Sequence, residues 1–299
     1  MTKFLNFGSL NLDLVYSVED IVVPGETISS LGMARYCGGK GLNQSIALAR
    51  AGAEVYHAGN IGFDGDILLD KLKSFGVHTE YVRKLDTEPT GNAIIQVDSK
   101  GQNSIILFGG ANQKNDREYI YRVLADFRQN DVLILQNEIN GISEIIDLAY
   151  EKGMTIVLNP SPMNELIMSC DLSKISVFVL NEIEGSQITG KAEYQDIIES
   201  MSNRFSDAKV VLTLGKDGVI YWDGNKQYTH GIYDVKAVDT TAAGDTFLGF
   251  FIAAIESCGP EEALRLASMA SALAVSAAGA ADSIPSLKDV YDSELKLKI

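Results

Sequence analysis

The chain has 299 residues, 46% of them hydrophobic, which is enough to bury a core without disulfide or metal cross-links. Its 25 Lys and Arg residues are outnumbered by 40 Asp and Glu residues, which gives a formal net charge of −15. Such a surface repels the phosphate backbone of a nucleic acid, so the composition excludes nucleic acid as the expected class of partner.

The first part of the chain predicts two helices among several short strands. Apolar runs or alternating apolar residues predict strands at residues 3–7, 12–16, 54–59, 90–98 and 102–108. Apolar residues at helical spacing predict helices at residues 40–50 and 66–75, each followed closely by a glycine. The last two strands are joined by Ser99, Lys100 and Gly101, so we expect them to form a hairpin.

The remainder of the chain alternates regularly between strands and helices. Strands are predicted at residues 132–136, 155–158, 177–180 and 210–214, with helices at residues 142–152 and 194–205. Two further strands at residues 218–222 and 227–231 resemble antiparallel additions to the sheet, and helices rich in small residues follow at 243–257 and 260–277. This order predicts parallel βαβ units with helices on both faces of the sheet.

The alternation predicts a single α/β domain over residues 1–299, since no linker or internal repeat interrupts it. Two segments, residues 12–37 and 89–109, carry strands that do not fit the βαβ rhythm. Strands of this kind can project from the edge of a sheet and cover a site. We therefore interpret both segments as insertions into the α/β domain.

Three loops are candidates for a binding site, because ligands of open α/β sheets bind beyond the carboxyl ends of the strands. All three combine small and polar residues. They are residues 8–13 with the sequence GSLNLD, residues 38–43 with GGKGLN and residues 239–245 with DTTAAGD. The second and third loops each open a predicted helix.

The loop at residues 239–245 carries the most chemical information. Small residues at 242–244 let a phosphate approach the backbone N–H groups at the positive end of a helix, and Asp245 follows directly. Together they could stabilise a moving phosphoryl group and accept a proton from an attacking hydroxyl. An ordinary capped helix, with Thr240 or Thr241 as its cap, is the alternative interpretation.

The other polar positions also have two interpretations each. Backbone N–H groups of residues 38–41 and the amide of Asn43 could contact sugar hydroxyls, although the glycines equally suit a tight turn. Asp13 and Glu138 follow strands as lone carboxylates, which either bind hydroxyl groups or end solvated loops. Asn181 also follows a strand, and a helix N-cap would explain it.

Taken together and in order, these loops resemble the motifs of the PfkB carbohydrate kinase family, in its ribokinase branch, over residues 6–285. The most specific motifs are residues 38–44, GGKGLNQ, and residues 239–247, DTTAAGDTF. Residues 8–13, 24–27 (PGET), 110–112 (GAN) and 213–215 (TLG) add support. A helix cap explains one of these loops but not the whole series. The positions that depart from residues common in the family are Leu248, Phe250, Ala277 and Asp282.

The resemblance implies a ribokinase-like three-layer αβα sandwich, with a mostly parallel central sheet and a small β-sheet lid formed by the two insertions. It also implies ATP-dependent phosphorylation of the primary 5-hydroxyl of D-ribose to ribose 5-phosphate. Asp245 would be the general base, and backbone N–H groups of Ala242, Ala243 and Gly244 would form an anion hole. The implied sugar-binding residues are Asn11, Asp13, Gly39, Lys40, Asn43 and Glu138.

The resemblance further implies sites for ATP and cations, which a negative protein can bind when local donors and Mg²⁺ outweigh the distant field. The ATP-binding residues would be Asn181, Thr213, Gly215, Gly218 and Gly244. Glu184 would position Mg²⁺ through phosphate or water, in an Asn-x-x-Glu pattern with Asn181. K⁺ or another monovalent cation would organise the anion-hole loop, held by Asp239, Thr241, Ala274, Ala277, Gly279 and Ser283.

Two other functions stay open at this point. A related kinase could act on another sugar or on a nucleoside, and Val15, Tyr16 and Tyr36 could then sandwich a base. A sugar-binding regulator that has lost catalysis belongs to a different class. The intact Asp245 and residues 242–244 argue against a regulator, because binding alone requires neither a base nor an anion hole.

The remaining expectations concern location and partners. Cys37, Cys170 and Cys258 show no paired spacing, which favours a reducing compartment. The sequence has no recognisable signal peptide, and its longest apolar run, residues 246–255, is too short for a membrane helix. We therefore expect a cytoplasmic protein with no membrane partner that binds a small-molecule sugar and ATP. The resemblance adds a homodimer formed through the lid.

Overall fold

A computed structural model describes residues 2–298 of the chain. The strands are β1 Phe4–Phe7, β2 Asn11–Ser17, β3 Gly32–Gly38, β4 Val55–Ile61, β5 His78–Lys84, β6 Gly91–Val97, β7 Asn103–Phe108, β8 Val132–Gln136, β9 Thr155–Asn159, β10 Val177–Asn181, β11 Lys209–Thr213, β12 Val219–Trp222 and β13 Gln227–His230. The helices are α1 Lys40–Arg50, α2 Asp66–Ser74, α3 Arg117–Ala125, α4 Ile142–Glu151, α5 Glu165–Met168, α6 Glu182–Thr189, α7 Tyr194–Arg204, α8 Ala243–Cys258, α9 Pro260–Val275 and α10 Leu287–Asp292. None of the helices in this range is both long and apolar enough to cross a membrane.

Within residues 2–298, nine strands form the central sheet, in the order β13-β12-β11-β10-β9-β8-β1-β4-β5. All pairs from β11 to β5 are parallel, whereas β12 and β13 extend the sheet in antiparallel fashion beside β11. Most of the parallel strands are connected through helices, because a parallel connection requires a long crossover. This arrangement confirms the predicted α/β architecture with a mostly parallel sheet.

Two apolar cores lie on the two faces of the central sheet. Strand β1 contributes to both, since Leu5 and Phe7 belong to one core and Phe4 packs against the other. Helices α3, α4, α6 and α7 cover the face that carries Leu5, and helices α1, α2, α8 and α9 cover the opposite face. The result is the predicted three-layer sandwich, in which helices shield the central strands on both sides.

A second sheet of four strands has the order β3-β2-β6-β7. Its strands fall almost entirely within residues 12–37 and 89–109, the two segments that break the βαβ rhythm. Strand β2 pairs in parallel with β6, and the other two pairs are antiparallel. Only residues 8–10 separate β1 from β2, so this sheet begins directly beyond the carboxyl edge of the central sheet. Large apolar side chains are exposed on it, including Met33, Ile105, Ile106, Leu107 and Phe108.

Several elements are absent from the sequence-based assignment, among them β5, α6 and α3. Strand β5 lies at the edge of the sheet beside β4 alone and none of its residues is buried, so its sequence HTEYVRK contains no apolar run. Helix α6 has eight residues and begins directly after β10, which leaves it too short for a clear period. Helix α3 does carry helical spacing, since Tyr119, Ile120, Val123 and Leu124 are buried and Asp116 caps it.

Tyr119→Phe should destabilise the fold, because the buried Tyr119 hydroxyl joins α3 to the sheet. It accepts a hydrogen bond from the Gly59 N–H at 2.7 Å and lies 2.5 Å from the Tyr81 carbonyl oxygen. Removing it leaves the buried N–H without a partner, so the free energy of unfolding should fall by about 1–3 kcal/mol in chemical denaturation. Tyr150→Phe is the control, since Tyr150 is 56% exposed. Equal losses in the two variants would contradict a role for the Tyr119 hydroxyl.

Candidate active site

The carboxyl edge of the central sheet has a topological switch point between β1 and β8. The chain continues from β1 toward β4 on one side, whereas β8 is followed by β9 on the other, which opens a crevice. Three segments singled out in the sequence meet there. Ser9 Oγ and the Lys40 N–H both donate hydrogen bonds to Glu138 Oε2, the latter at 3.1 Å. The Gly41 N–H in turn donates to Ser9 Oγ at 3.2 Å.

Glycines let these loops approach each other closely. A Cβ on Gly41 would lie 2.4 Å from the Ser9 backbone nitrogen, and a Cβ on Gly38 would lie 2.0 Å from Asp13 Oδ2. Gly39 has a φ of 95°, which residues with a side chain rarely adopt. The GGKG segment is therefore a tight turn and a wall of the crevice at once, so its two interpretations are compatible.

Two carboxylates, those of Asp13 and Glu138, lie close together in the crevice. Asp13 is part of β2, Glu138 follows β8, and both are half-buried. Burial raises the pKa of Asp13 to about 7, and the charge of Glu138 adds to the rise. Burial also raises the pKa of Glu138. The hydrogen bond from Ser9 and the charge of Lys40 lower that pKa, but they do not cancel the effect of burial. Neither carboxylate is an ordinary solvated loop end.

Asp245 is a buried carboxylate in the first turn of α8, next to the first turn of α1. Asn43 Nδ2 donates to Asp245 Oδ2 at 3.1 Å, and Gln44 Nε2 donates to Asp245 Oδ1 at 2.9 Å. Burial raises the pKa of Asp245, while the charge of Lys40 and the two amide donors oppose that rise. A carboxylate with raised proton affinity in a crevice is a candidate for acid–base chemistry.

Lys40 supplies positive charge to this region. Burial alone would lower its pKa, but the carboxylates of Asp245, Glu138 and Glu184 raise the pKa above its ordinary value. One ammonium group thus interacts electrostatically with acidic side chains from three different segments, the starts of α8 and α6 and the loop after β8. A cation held in this way favours ligands or transition states that carry negative charge.

Helix α8 begins without a side-chain cap. Ala242 is its N-cap residue and makes no side-chain cap hydrogen bond, and the hydroxyl of Thr241 donates to Asp239 instead. The interpretation of this loop as an ordinary helix cap formed by Thr240 or Thr241 is therefore wrong. The Thr240 carbonyl accepts from the Ala243 N–H at 3.2 Å, which is a backbone hydrogen bond and not a side-chain cap. The start of α8 is the positive end of a helix dipole beside a buried carboxylate.

A cavity of about 480 Å³ borders the start of α8. Thr213, Gly215, Gly218 and Gly244, four of the residues predicted to bind ATP, line it together with Ala243. Its remaining wall is largely apolar, with contributions from Val219, Tyr233, Val235, Phe247, Ala272 and Val275. A flat heterocycle fits such a wall, and an attached phosphate chain could reach the helix N-terminus.

Asn181 and Glu184 form a capping box at the start of α6. The Glu184 N–H donates to Asn181 Oδ1 at 2.8 Å, and the Asn181 N–H donates to Glu184 Oε2 at 3.0 Å. The N-cap interpretation of Asn181 is thus confirmed, and Asn181 lies outside the set of residues that line the cavity. Glu184 still acts on the site through its charge, which contributes to the raised pKa of Lys40.

The predicted cation site lies between α8 and the end of α9. Asp239 Oδ1 accepts from the Thr241 N–H at 2.9 Å, and Asp239 Oδ2 accepts from the Gly279 N–H at 3.2 Å. Burial alone would raise the pKa of Asp239, but the hydrogen bond from the Thr241 hydroxyl and these two backbone hydrogen bonds lower it below its ordinary value. Ala274 and Ala277 form the turn just before Gly279, joined by a hydrogen bond of 3.2 Å. An ionised carboxylate beside backbone carbonyls fits a monovalent cation.

Ser283 lies a few residues further on and is not joined to Asp239. Its hydroxyl donates to the Ala280 carbonyl at 2.9 Å, within the turn at Ala281–Ser283. Within residues 2–298, no group of three or more His, Cys, Asp or Glu side chains is arranged to hold a metal ion. The oxygen ligands predicted for K⁺ are mostly backbone carbonyls, and these are not part of such a group of side chains.

Several polar residues of the site have no role assigned from the sequence. Asn112 accepts from the Leu10 N–H at 3.0 Å and donates to Asn11 Oδ1 at 2.7 Å, so it holds the loop between β1 and β2. Ser9 bridges Glu138 and the start of α1, as described above. Asn112 lies in the motif at residues 110–112 and Ser9 in the motif at residues 8–13. Membership of these motifs is the sequence signal that could have identified both as site residues. Asn6, Gln44 and Gln136 are also buried beside the site.

Comparison with known proteins gives consistent matches. The family model described as pfkB family carbohydrate kinase matches residues 1–287. The ribokinase of Haemophilus influenzae is 35% identical over 295 residues, which cover 95% of this chain and 96% of that protein. The deoxyribokinase of Salmonella typhi is 31% identical over 291 residues, covering 94% of this chain and 95% of that protein. The structure of Arabidopsis thaliana ribokinase complexed with ribose and ATP matches with a TM-score of 0.84 and 32% identity, over 97% of this chain and 98% of that one.

Proposed function

The chain belongs to the pfkB family of carbohydrate kinases, and on that premise we propose that it transfers the γ-phosphoryl group of ATP to the primary 5-hydroxyl of D-ribose. Relatives of similar length that act as ribokinases support the choice of sugar. The observation that carries the proposal is the position of Asp245. It is a buried carboxylate at the start of α8, between the crevice of polar loops and the cavity lined by Thr213 and Gly244.

In this mechanism Asp245 accepts the proton of the attacking hydroxyl. Its burial raises its pKa, which increases its affinity for that proton. Backbone N–H groups of Ala242, Ala243 and Gly244 form the anion hole for the transferred phosphoryl group, at the positive end of the α8 dipole. Lys40 offsets the negative charge that develops between the two substrates.

The sugar binds in the crevice between the loop after β1, the start of α1 and the loop after β8. Carboxylates are strong acceptors for hydroxyl groups, and Asp13 and Glu138 both lie there. Ser9 Oγ and the Lys40 N–H hold Glu138 in place through hydrogen bonds to its Oε2. Because the pKa of Asp13 is about 7 in the free site, ligand hydroxyls that donate to it would favour its ionised form. The full set of sugar-binding residues is Asn11, Asp13, Gly39, Lys40, Asn43 and Glu138.

ATP binds in the cavity of about 480 Å³, with its base against the apolar wall and its phosphates toward Gly244. Thr213, Gly215 and Gly218 line this site. Glu184, fixed by Asn181, would position Mg²⁺ through phosphate or water, and the bound ion would neutralise part of the charge of the phosphates. K⁺ would be held by Asp239, Thr241, Ala274, Ala277, Gly279 and Ser283, and it would supply charge that stabilises the loop that opens α8.

The four-stranded sheet acts as a lid over the sugar and joins two copies of the chain in a homodimer. Its exposed Ile106, Leu107 and Phe108 support this, since exposed apolar patches of this kind mark interaction surfaces.

The three cysteines are unpaired, which suits the reducing conditions of the cytoplasm. The alternative substrates are another sugar, with 2-deoxyribose favoured by the deoxyribokinase relative, and a nucleoside, for which Tyr36 on β3 is exposed.

Asp245→Asn should keep sugar and ATP binding while kcat falls by about 10²–10⁴-fold, because only the proton acceptor is removed. Calorimetry and steady-state kinetics measure the two parts separately. Asp196→Asn is the matched control, since Asp196 is an exposed residue of α7 and its loss should leave both unchanged. An Asp245→Asn enzyme with nearly full turnover would rule out Asp245 as the base.

ADP release from MgATP should be most efficient with D-ribose among D-ribose, 2-deoxy-D-ribose, D-fructose and adenosine. The physical reason is that the crevice presents carboxylates and amides to several hydroxyl groups, and a missing hydroxyl leaves them unpaired. A higher kcat/KM for another compound would keep the kinase and overturn ribose as the substrate. Binding without turnover across the panel would favour a regulator.

Replacing Na⁺ by K⁺ should raise turnover severalfold at constant ionic strength, because the cation would order the loop that opens α8. The measurement is kcat in each salt. Asp239→Asn should abolish the difference between the two salts while the enzyme still binds ATP. A parent enzyme that is equally active in both salts would contradict the proposed cation site.

A further inference from the structure

The polar residues buried beneath the crevice form a continuous chain of side-chain amides. Asn6 Nδ2 donates to the Gly41 carbonyl at 2.9 Å, and Gln136 Nε2 donates to Asn6 Oδ1 at 2.9 Å. Gln136 Nε2 also donates to Gln44 Oε1 at 2.7 Å, and Gln44 Nε2 donates to Asp245 Oδ1 at 2.9 Å. The three amide side chains are fully buried, so no solvent competes for these hydrogen bonds.

The direction of this chain is fixed at both ends. A backbone carbonyl and a carboxylate can only accept hydrogen bonds, so Asn6 must turn its NH₂ toward Gly41 and Gln44 must turn its NH₂ toward Asp245. The side-chain oxygens of Asn6 and Gln44 then face Gln136, which must supply both donors. Flipping any one amide would place acceptor against acceptor, so each has a single permitted orientation.

Gln136 anchors the chain of amides to the centre of the sheet. It is the last residue of β8, and both hydrogens of its amide group are used. Its Oε1 has no hydrogen-bond partner within residues 2–298. A Cβ on Gly8 would lie 2.3 Å from that oxygen, so glycine at the end of β1 is what leaves room for this amide. Gln44 Nε2 also donates to Asn159 Oδ1 at 3.3 Å, at the end of β9. The position of Gln44 therefore depends on strands β1, β8 and β9.

We propose that Gln44 is a positioning residue for Asp245, and that Gln136 and Asn6 hold Gln44 in place. This rests on the proposed role of Asp245 as the general base. Gln44 fixes one oxygen of the carboxylate and Asn43 fixes the other, which sets the plane of the carboxylate and the direction of its remaining lone pairs. A base fixed in this way stays in reach of the substrate hydroxyl, where small displacements reduce the rate strongly.

The hydrogen bond from Gln44 has a second consequence, for protonation. It stabilises the ionised carboxylate and opposes the rise that burial causes in the pKa of Asp245. Losing this donor therefore raises the pKa of Asp245 further. Turnover requires the ionised form, so the acidic limb of the pH–rate profile would move to higher pH. A residue that only filled space would leave that limb in place.

The first test is Gln44→Met, which keeps the approximate volume of the side chain and removes its polar groups. We expect kcat to fall by about 10- to 100-fold, with the KM values for D-ribose and ATP changed by less than about threefold. The acidic limb of the pH profile should move upward in the same variant. Gln129→Met is the control, because Gln129 is exposed in the loop before β8 and should behave as the parent enzyme.

The second test is Gln136→Met, alone and combined with Gln44→Met. Gln136 does not contact Asp245, so its replacement should lower kcat less than Gln44→Met and move the pH limb in the same direction. In the double variant it should add nothing, because its effect passes through Gln44. A Gln44→Met enzyme with parental kcat and pH profile, losses confined to KM, or losses that multiply in the double variant would each overturn the proposal.

Two controls keep the result interpretable. Calorimetric ATP binding reports whether each variant is folded, and if Gln44→Met does not bind ATP, the kcat and pH profile of Gln136→Met decide alone. Asp245→Asn separates this inference from the proposed function. Loss of turnover in Asp245→Asn with full activity in Gln44→Met would overturn only the positioning role, whereas full activity in Asp245→Asn would overturn the base and the positioning role together.

Discussion

A buried carboxylate needs compensation, and the compensation of Asp245 is the interaction on which the rest of the site depends. Its partners are the amides of Asn43 and Gln44 and the charge of Lys40, all at the start of α1. Asn43 and Asp245 are 202 positions apart in the sequence. An unpaired charge in this position would be strongly destabilising, so folding must bring the starts of α1 and α8 together. The loops that precede these helices become neighbours as a result.

The sheet topology determines where this junction lies. Strand β1 is flanked by β4 and β8, and the chain leads from β1 toward β4 on one side and from β8 to β9 on the other, which leaves a crevice at the carboxyl edge. The first turns of α1 and α8 face that crevice, and the second sheet starts only a few residues beyond β1.

The local charge at this junction differs from the overall charge of the chain. A chain with a net charge of −15 concentrates an ammonium group and a helix N-terminus at one place, which is how a carbohydrate kinase of acidic composition can hold a polyphosphate.

Much of the fold could be predicted because buried parallel strands appear in the sequence as short apolar runs, as at residues 132–136 and 177–180. The exposed edge strand β5 has no such run and could not be found this way. The glycine-rich loops could be recognised because each motif is contiguous. The helix-cap interpretation failed because the side chain of Thr241 bonds to Asp239 and not to the first turn of α8. Both partners are close to Thr241 in the sequence, so the sequence alone does not decide between them. The catalytic and cation-binding roles stay predictions.

The amide chain could not be predicted from the sequence. Asn6 looks like a polar interruption of an apolar strand, and Gln136 looks like the polar end of another strand. Gln44 belongs to the motif at residues 38–44, but the motif does not indicate which side chains Gln44 contacts. Only their contact in three dimensions distinguishes them from ordinary surface residues. Gly8 illustrates the same limit, since its importance depends on the distance to the oxygen of Gln136.

The most direct test of the account is a crystal structure with D-ribose, Mg²⁺ and a non-hydrolysable ATP analogue bound together. The account predicts the sugar's 5-hydroxyl within about 2.6–3.2 Å of an Asp245 carboxylate oxygen, and the terminal phosphate against the backbone of residues 242–244. Asp245 should keep its hydrogen bonds to Asn43 and Gln44 in that complex. A sugar bound with a different hydroxyl toward Asp245, or a terminal phosphate away from the start of α8, would contradict it.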